Sequence, residues 1–352
     1  MKTRLKPGSI LSVGAALAVM LAAPALVGMY IPGAFMYIEP QGDLFFGAAQ
    51  PAGAVVTEPI AATNEAEIED EMPEELTVTV FYEKAGRVIT LGLEEYITGV
   101  VAGEMPVSFG DEALKAQAVA ARSYTMYRIA HGSENIPSHQ GAQLCSDPKH
   151  CKEYVTREEL AEKWGNETAN NIFEKARASV EATRGQILTY EGEPALAVFH
   201  ASSNRLTESA EAVWGRHVPY LVSVETPEET EPQVAVFTRG ELADLLAPYG
   251  VKFSDTDLPQ LEFDDAGRVA YVVFGETSVS GKDVREALGL RSTDFSLVIL
   301  DGEYIFTVRG YGHGVGMSQY GAKAMAAEGK TYMEILAHYY PGTQITNIYG
   351  SP

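Results

Sequence analysis

The amino-acid sequence predicts an α+β fold of mixed helices and short antiparallel sheets, preceded by an N-terminal transmembrane helix. Three observations support this prediction. Asp111–Ala130 has the residue spacing of a long helix. Gln260–Phe263 and Arg268–Phe274 are short apolar segments on either side of Asp264-Asp-Ala-Gly, a turn sequence typical of hairpins. The run from Ile10 to Pro32 is apolar and long enough to span a bilayer.

The start of the chain predicts a membrane anchor. Residues 1–9 are expected in the cytoplasm and residues 10–32 in the membrane, because basic residues precede the apolar run. A cleaved signal peptide is the alternative, since Ala23 and Ala25 flank Pro24 near the end of the run. Both alternatives place the bulk of the protein outside the cytoplasmic membrane.

An acidic segment follows the anchor. Residues 33–75 predict a disordered linker, because residues 51–79 contain no Lys or Arg and the segment has few aromatic side chains to build a core. The whole chain has 48 acidic and 26 basic residues, which gives a formal net charge of −22. This charge argues against a nucleic-acid partner, since no basic stripe is evident. It also fits poorly with docking on an anionic membrane surface beyond the anchor itself.

The first half of the remaining domain, residues 76–350, combines helices with hairpins. Its predicted elements are strands Leu76–Tyr82 and Arg87–Leu91, helices Glu94–Gly103 and Asp111–Ala130, a helix opened by the capping box Thr156-Arg-Glu-Glu159, a helix Asn166–Thr183, and a hairpin of Gln186–Tyr190 with Pro194–Ala201. Ser108 or Asp111 is expected to cap the second helix.

A more β-rich section is predicted at about residues 232–309, and two helices close the chain. The elements are a short helix opened by Thr238-Arg-Gly-Glu241, the hairpin of Gln260–Phe263 with Arg268–Phe274, a helix Ser280–Leu288, a hairpin of Phe295–Leu300 with Tyr304–Arg309, and helices Met317–Glu328 and Thr331–Tyr339.

One carboxylate occupies a special position. Glu104 lies at the end of a helical pattern, two residues before Pro106, where the chain cannot easily continue as a helix. Its side chain is therefore expected to project from a helix end. On the next helix Gln117 and Tyr124 share a face with small alanines. The alternative for these residues is a packed helix with satisfied polar groups, and a capping or pairing role for Glu104.

The two cysteines of the chain lie in one loop. Cys145 and Cys151 alternate with His139 and His150. A cysteine pair outside the cytoplasm usually forms a disulfide. Two histidines beside two cysteines instead suggest a zinc site with Cys₂His₂ donors, although the spacing is not that of a standard zinc finger. The residues themselves leave both alternatives open.

Several motifs occur together between residues 76 and 350. They are Gly99-Val-Val-Ala-Gly-Glu-Met-Pro106, Phe199-His-Ala-Ser-Ser203, Ala212-Val-Trp-Gly215, Arg291-Ser-Thr-Asp-Phe295 and Gly310-Tyr-Gly-His-Gly-Val-Gly-Met-Ser-Gln-Tyr-Gly-Ala322. In content and order they resemble the stage II sporulation protein D family, which includes a lytic transglycosylase of endospore formation. Asn204-Arg-Leu departs from the pattern, since the family often has glycines there.

The resemblance implies a catalytic cleft that cleaves peptidoglycan glycan strands between MurNAc and GlcNAc. It implies Glu104 as the acid/base, because the C6 hydroxyl of the muramic ring acts as nucleophile and leaves a 1,6-anhydroMurNAc end. Arg122 is expected to bind the muramic lactyl carboxylate or, alternatively, to pair with a neighbouring acid. Further substrate-binding residues are expected to be Gln117, Tyr124, His200, Ser202, Ser203, His313 and Gln319.

The same resemblance implies partners and a metal. Some relatives carry a metal in the cysteine loop, which favours one structural zinc ion bound by His139, Cys145, His150 and Cys151. The implied setting is engulfment, with strands stripped of stem peptides, an amidase and a membrane partner. One rival is a non-catalytic wall-binding protein that enhances an amidase. Another is a zinc hydrolase that uses three of these metal donors.

Overall fold

A computed structural model describes residues 75–350 of the chain, apart from residues 149, 229 and 254–257. The mixture of helices and short sheets confirms the predicted α+β class. The predicted cytoplasmic end, the anchor at 10–32 and all but the last residue of the predicted linker lie outside the described residues. Within the described part, none of the helices combines the length and apolar character needed to cross a membrane.

The described strands are short, and six of them have only two residues. Their bounds are β1 Thr77–Tyr82, β2 Arg87–Gly92, β3 Leu144–Cys145, β4 Gln186–Tyr190, β5 Glu193–Pro194, β6 Phe199–His200, β7 Arg205–Leu206, β8 Glu225–Thr226, β9 Gln233–Thr238, β10 Gln260–Phe263, β11 Val269–Phe274, β12 Thr277–Ser280, β13 Phe295–Leu300, β14 Glu303–Val308, β15 Met317–Ser318 and β16 Gln344–Asn347.

The helices vary from five to twenty residues. Their bounds are α1 Leu93–Glu104, α2 Asp111–Ala130, α3 Arg157–Trp164, α4 Asn166–Glu181, α5 Ala210–Trp214, α6 Arg239–Leu246, α7 Gly281–Leu288, α8 Gln319–Ala327 and α9 Tyr332–Tyr339. The capping box predicted at Thr156 and the helix start predicted at Thr238 are confirmed, and Thr238 and Thr331 form capping boxes as well.

Two predicted details are wrong. The residue that caps α2 is Gly110, without a side-chain cap bond, rather than Ser108 or Asp111. Its φ of 93° suits glycine, and the tight turn after Pro106 requires it. The strand predicted at Pro194–Ala201 divides into β5, which pairs with β4, and β6, which pairs with β15.

The larger of two hydrophobic cores surrounds α2. This helix is buried along most of its length, and its alanines at 116, 118, 120 and 121 are completely buried. Small side chains let neighbouring elements approach closely. Helices α1, α4, α8 and α9 and strand β4 all contact it. Helix α2 therefore supports α1 and α8, which carry Glu104 and Gln319 of the candidate site described below.

A second core lies within the sequence from Ala235 to Val308. It is formed by the sheets β10-β11-β12 and β13-β14-β9 together with α6 and α7. Arg268 connects this part to the larger core, since its Nε lies 3.3 Å from Glu208 Oε1 and its guanidinium donates to the Ser203 carbonyl at 3.2 Å. The domain boundaries predicted from the sequence stay a prediction.

Candidate functional site

Glu104 ends α1, as the sequence predicts, and its side chain is partly exposed. The backbone N–H of Glu153 donates a 3.0 Å hydrogen bond to Glu104 Oε1. Gln319 Nε2 donates to the Glu104 carbonyl oxygen, also at 3.0 Å. Two segments distant in sequence thus hold this residue, and its Oε2 accepts no hydrogen bond from the described residues. The arrangement suits a carboxyl group that exchanges a proton with a bound molecule.

Lys152 and Glu153 lie beside Glu104, and the sequence did not single them out. Lys152 is only 9% exposed, and its Nζ lies 3.5 Å from the ring centre of Phe199 and 4.9 Å from that of Tyr124. Burial lowers the pKa of Lys152, while the charges of Glu104 and Cys151 oppose this shift. Burial and the charge of Glu104 raise the pKa of Glu153 to about 7. The sequence feature that could have identified these two residues is their position directly after Cys151.

A row of rings continues from this point. The ring of His200 lies 5.6 Å from that of His313, which in turn lies 5.5 Å from the ring of Trp214. Trp214 is 41% exposed. It was named above only as part of the motif Ala212-Val-Trp-Gly215. An exposed indole beside a neutral imidazole offers a flat apolar surface with polar edges.

Both histidines are uncharged at neutral pH. Burial is the main cause, and it lowers the pKa of His313 to about 3 and that of His200 well below its usual value. The Val315 N–H donates to His313 Nδ1 at 3.0 Å. His200 Nε2 lies 2.6 Å from Ser203 Oγ. Each imidazole is therefore fixed in orientation by its hydrogen bonds.

The glycine-dense loop passes close to these residues. A Cβ atom on Gly312 would lie 2.8 Å from His200 Cβ, and one on Gly316 would lie 2.1 Å from the Val198 carbonyl oxygen. Both glycines have a positive φ, of 112° and 73° respectively. Only glycine combines this backbone conformation with so close an approach. The loop is therefore built to bring His313 against β6.

The two serines of the predicted groove are part of the framework. Ser203 is completely buried, and Ser202 forms a two-way backbone pairing with Tyr311. Glu228, which the sequence did not identify, accepts from the Ser203 N–H at 2.8 Å and from Ser318 Oγ at 2.5 Å. These bonds join the segment after β6 to the start of α8, which carries Gln319.

The structure separates the three predicted residues of α2. Tyr124 is 6% exposed and contacts Lys152, so it lies near Glu104. Gln117 is completely buried, and neither of its amide atoms has a partner in the described part of the chain. Arg122 is also completely buried, and its guanidinium binds Glu94 with distances of 2.5–3.1 Å.

The pairing of Arg122 with Glu94 is the alternative that the sequence left open. Arg122 Nη1 also donates to the Gln186 carbonyl at 2.9 Å. Its donors are thus used inside the fold, because a buried guanidinium needs acceptors on several sides. The structure therefore contradicts the prediction that Arg122 binds a substrate carboxylate, and we leave it out of the candidate site.

The four predicted metal donors converge. One ligand atom each from His139, Cys145, His150 and Cys151 lies within 4.8 Å of the others. His139 Nε2 and His150 Nδ1 are 3.1 Å apart, and each lies 3.2 Å from one cysteine Sγ. Donors around tetrahedral zinc lie about 3.3–3.8 Å apart, given bond lengths of about 2.0–2.3 Å. The spacing and the sulfur and nitrogen chemistry therefore fit a metal ion.

Both cysteines are free thiols in the structure. Hydrogen bonding between them raises the pKa of Cys145 and lowers that of Cys151 to about 7. Two cysteine sulfurs beside two imidazoles form a donor set suited to a divalent cation.

The chain is similar to several known proteins. Residues 82–190 match the family model described as "Stage II sporulation protein". The chain is 39% identical to the stage II sporulation protein D of Bacillus amyloliquefaciens and 38% identical to that of Bacillus subtilis (strain 168), each over 274 residues that cover 77% of this chain and 79% of the relative. A protein of Bacillus subtilis (strain 168) named "Amidase enhancer" is 29% identical over 310 residues, which cover 71% of this chain and 40% of that protein.

The extent of the match to the two sporulation proteins decides the family. Because this identity extends over more than three quarters of each sequence, the chain belongs to the stage II sporulation protein D family, which is involved in sporulation.

Proposed function

We propose that the protein is a lytic transglycosylase that cleaves peptidoglycan glycan strands between MurNAc and GlcNAc during endospore engulfment. The observation that carries this proposal is the placement of Glu104. Its carboxylate is partly exposed and held through Oε1 by the Glu153 N–H, while Oε2 accepts no hydrogen bond from the described residues. One proton donor with a fixed orientation is what this reaction needs.

In the proposed reaction Glu104 acts twice. The acid form donates its Oε2 proton to the glycosidic oxygen as the bond from that oxygen to C1 of MurNAc breaks. The C6 hydroxyl oxygen of the same ring then bonds to C1, and Glu104 accepts its proton. The products are a GlcNAc hydroxyl end and a 1,6-anhydroMurNAc end. The carboxyl group regains its proton, and no water is consumed.

The ring row is proposed as the sugar-binding surface. Trp214 is exposed and contacts His313, whose neutral imidazole is kept in place by Val315. Sugar rings stack their C–H faces on indoles, which bury apolar area while leaving the hydroxyl edge in water. His200, Ser202, Ser203 and Gln319 support this surface from behind, since all four are at least nine-tenths buried.

We propose that the metal is zinc and that its role is structural. His139, Cys145, His150 and Cys151 would hold it, which uses four protein donors and leaves no open position for a catalytic water. When bound, zinc would crosslink the two ends of the loop from His139 to Cys151. The next two residues after Cys151 are Lys152 and Glu153, so the crosslink fixes the backbone that holds Glu104.

The remaining parts of the proposal concern setting and partners. The domain is proposed to lie outside the cytoplasm on a single-pass membrane anchor. It would act on strands stripped of stem peptides by a partner amidase, together with a membrane partner in engulfment. The charge of −22 gives no support to a nucleic-acid partner.

Mass analysis of products from purified glycan strands tests the activity. Anhydro ends with a mass 18 Da below the reducing form are expected, since no water is added. Reducing ends would instead indicate a hydrolase. The second candidate function is a non-catalytic enhancer of an amidase, which the relative of that name favours. It predicts unchanged strands and faster peptide release when an amidase is added.

A further inference from the structure

Lys152 is a buried cation whose charge interacts with those of the candidate acid Glu104 and of Cys151. Its Nζ lies over the faces of Phe199 and Tyr124, at 3.5 Å and 4.9 Å from the ring centres. None of the described residues forms an ion pair with it or accepts a hydrogen bond from it. Arg122, by contrast, satisfies its donors with Glu94 and backbone carbonyls.

Such an ammonium has a clear energetic requirement. Burial raises the free energy of a charged group unless anions or hydrogen-bond acceptors offset the cost. Contacts with the two ring faces offset part of it. None of the described residues accepts a hydrogen bond from the three N–H donors of the ammonium. The site therefore favours a bound molecule that brings a negative charge.

The position of Lys152 relative to Glu104 indicates which negatively charged group it binds. Lys152 directly precedes Glu153, whose N–H holds Glu104 Oε1 at 3.0 Å. The charge of Lys152 also contributes to the lowered pKa of His313, which belongs to the ring row. Lys152 is therefore close to both the candidate acid and the proposed sugar surface, within reach of an anion on the reacting sugar.

MurNAc carries one such group. The lactyl ether at C3 ends in a carboxylate when the stem peptide has been removed, and in a neutral amide when it is present. We propose that Lys152 is a specificity-determining residue that binds this free lactyl carboxylate and so selects stripped strands. This inference rests on the proposed function, and it assigns to Lys152 the role that the sequence had suggested for Arg122.

The peptide-bearing form is disfavoured for two reasons. An amide has no net charge to offer the ammonium, so it offsets less of the desolvation penalty than a carboxylate does. The amide also continues into a peptide, which needs space beside two aromatic rings that already contact Lys152. A single lysine can thus discriminate between a free lactyl carboxylate and a lactyl group that carries a peptide.

The first test changes the substrate and leaves the full-length protein unaltered. Stripped glycan strands are compared with the same strands after their lactyl carboxylates have been converted to primary amides. This exchange removes the charge and adds almost no bulk. We expect kcat/KM to fall about 10- to 100-fold for the amidated strands, which is typical for loss of a charge-assisted contact. Equal kcat/KM for the two substrates would overturn the inference.

The second test assigns the effect to Lys152. In K152M the side chain is one heavy atom shorter and stays apolar beside the rings, but it loses the charge. We expect K152M to process stripped and amidated strands equally, and K152R to retain the preference. K282M is the matched control, since Lys282 is exposed, lies in α7 of the second core, and its loss changes the net charge by the same amount. A preference in K152M as large as in the unaltered protein would contradict the assignment.

A binding measurement distinguishes failure of the proposed reaction from failure of the proposed role of Lys152. Strand binding by E104Q is followed with stripped and amidated glycans, without need for cleavage. If the unaltered protein gives no anhydro product but E104Q still prefers the carboxylate form through Lys152, the reaction is wrong and the recognition stands. If anhydro product forms but E104Q and the unaltered protein both ignore the carboxylate, the reaction stands and the recognition is wrong.

Discussion

The backbone N–H of Glu153 donates a 3.0 Å hydrogen bond to Oε1 of Glu104. Glu153 lies two residues after Cys151, whose Sγ is 3.2 Å from His139 Nε2 in the candidate metal cluster. One short segment therefore joins the cluster to the candidate acid. A displacement of Cys151 would move the donor that orients Glu104, even though the metal itself would not touch the reacting bond.

The first prediction concerns Glu104 itself. E104Q is expected to lower the rate of anhydro-product formation by ~10²–10⁴-fold, since the amide cannot donate and recover the proton. The fold should survive, because the Gln side-chain oxygen can still accept the Glu153 N–H. Mass analysis of products and thermal melting of both proteins make the measurement. Turnover near that of the unaltered protein would remove Glu104 from the mechanism.

The second prediction concerns the metal. Protein purified without chelator under reducing conditions is expected to contain one zinc per chain, and C151S is expected to lose it. C151S should also lose activity, because the segment that holds Glu104 is released. Elemental analysis gives the metal content. A zinc content below a few tenths of an ion per chain, with the two cysteines joined as a disulfide, would contradict this prediction.

The third prediction concerns Trp214. W214A is expected to weaken binding of glycan strands by about 10-fold, the loss typical of a stacking contact worth about 1–1.5 kcal/mol. The protein should keep its melting temperature, since the side chain is 41% exposed. W164A is the matched control, because Trp164 is 38% exposed and ends α3. Equal affinity of W214A and W164A for strands would exclude Trp214 from the sugar surface.

The fourth prediction follows from the lowered pKa of His313, about 3 against an ordinary value of 6.5. Above pH 6.5 the imidazole is neutral in both folded and unfolded chains. Below pH 6.5 this histidine binds a proton in the unfolded chain but stays neutral in the folded chain. The free energy of unfolding therefore falls as the pH drops. Between pH 7 and 5 the loss from this group is about 2 kcal/mol.

H313N is expected to remove this share of the acid sensitivity, since the Asn side-chain oxygen can accept the Val315 N–H as Nδ1 does. Denaturant titrations at pH 7 and pH 5 compare the two proteins. The variant still keeps the contribution of His200, whose pKa is shifted in the same direction. An equal loss of stability in both proteins would show that His313 does not stay neutral in the folded chain.

The fifth prediction tests the structural role of Arg122. R122M leaves the Glu94 carboxylate buried without its cation, which typically costs about 3–5 kcal/mol of stability. The double variant R122M/E94Q should recover part of this loss, because no uncompensated charge stays buried. Urea unfolding measures the free energy of unfolding of both variants. A fully stable R122M with weakened glycan binding would instead return Arg122 to the substrate site.

The sequence by itself determined most of the local structure. The capping boxes at Thr156, Thr238 and Thr331 each lie within four residues, so their hydrogen bonds could be read from the residue types. The same holds for the hairpin around Asp264-Asp-Ala-Gly and for the helix end at Glu104. Four candidate metal donors in one loop of thirteen residues were also visible from the residue types, because Cys and His are the usual ligands of zinc.

Only the tertiary structure decided which of these groups meet. Arg122 and Glu94 are 28 residues apart in sequence, and burial rather than motif makes them partners. Trp214 meets His313 across about a hundred residues, and Phe199 brings its ring to Lys152. The physical reason is that helix caps and turns are satisfied by near neighbours, whereas ion pairs and ring contacts form between whichever side chains the two cores bring together.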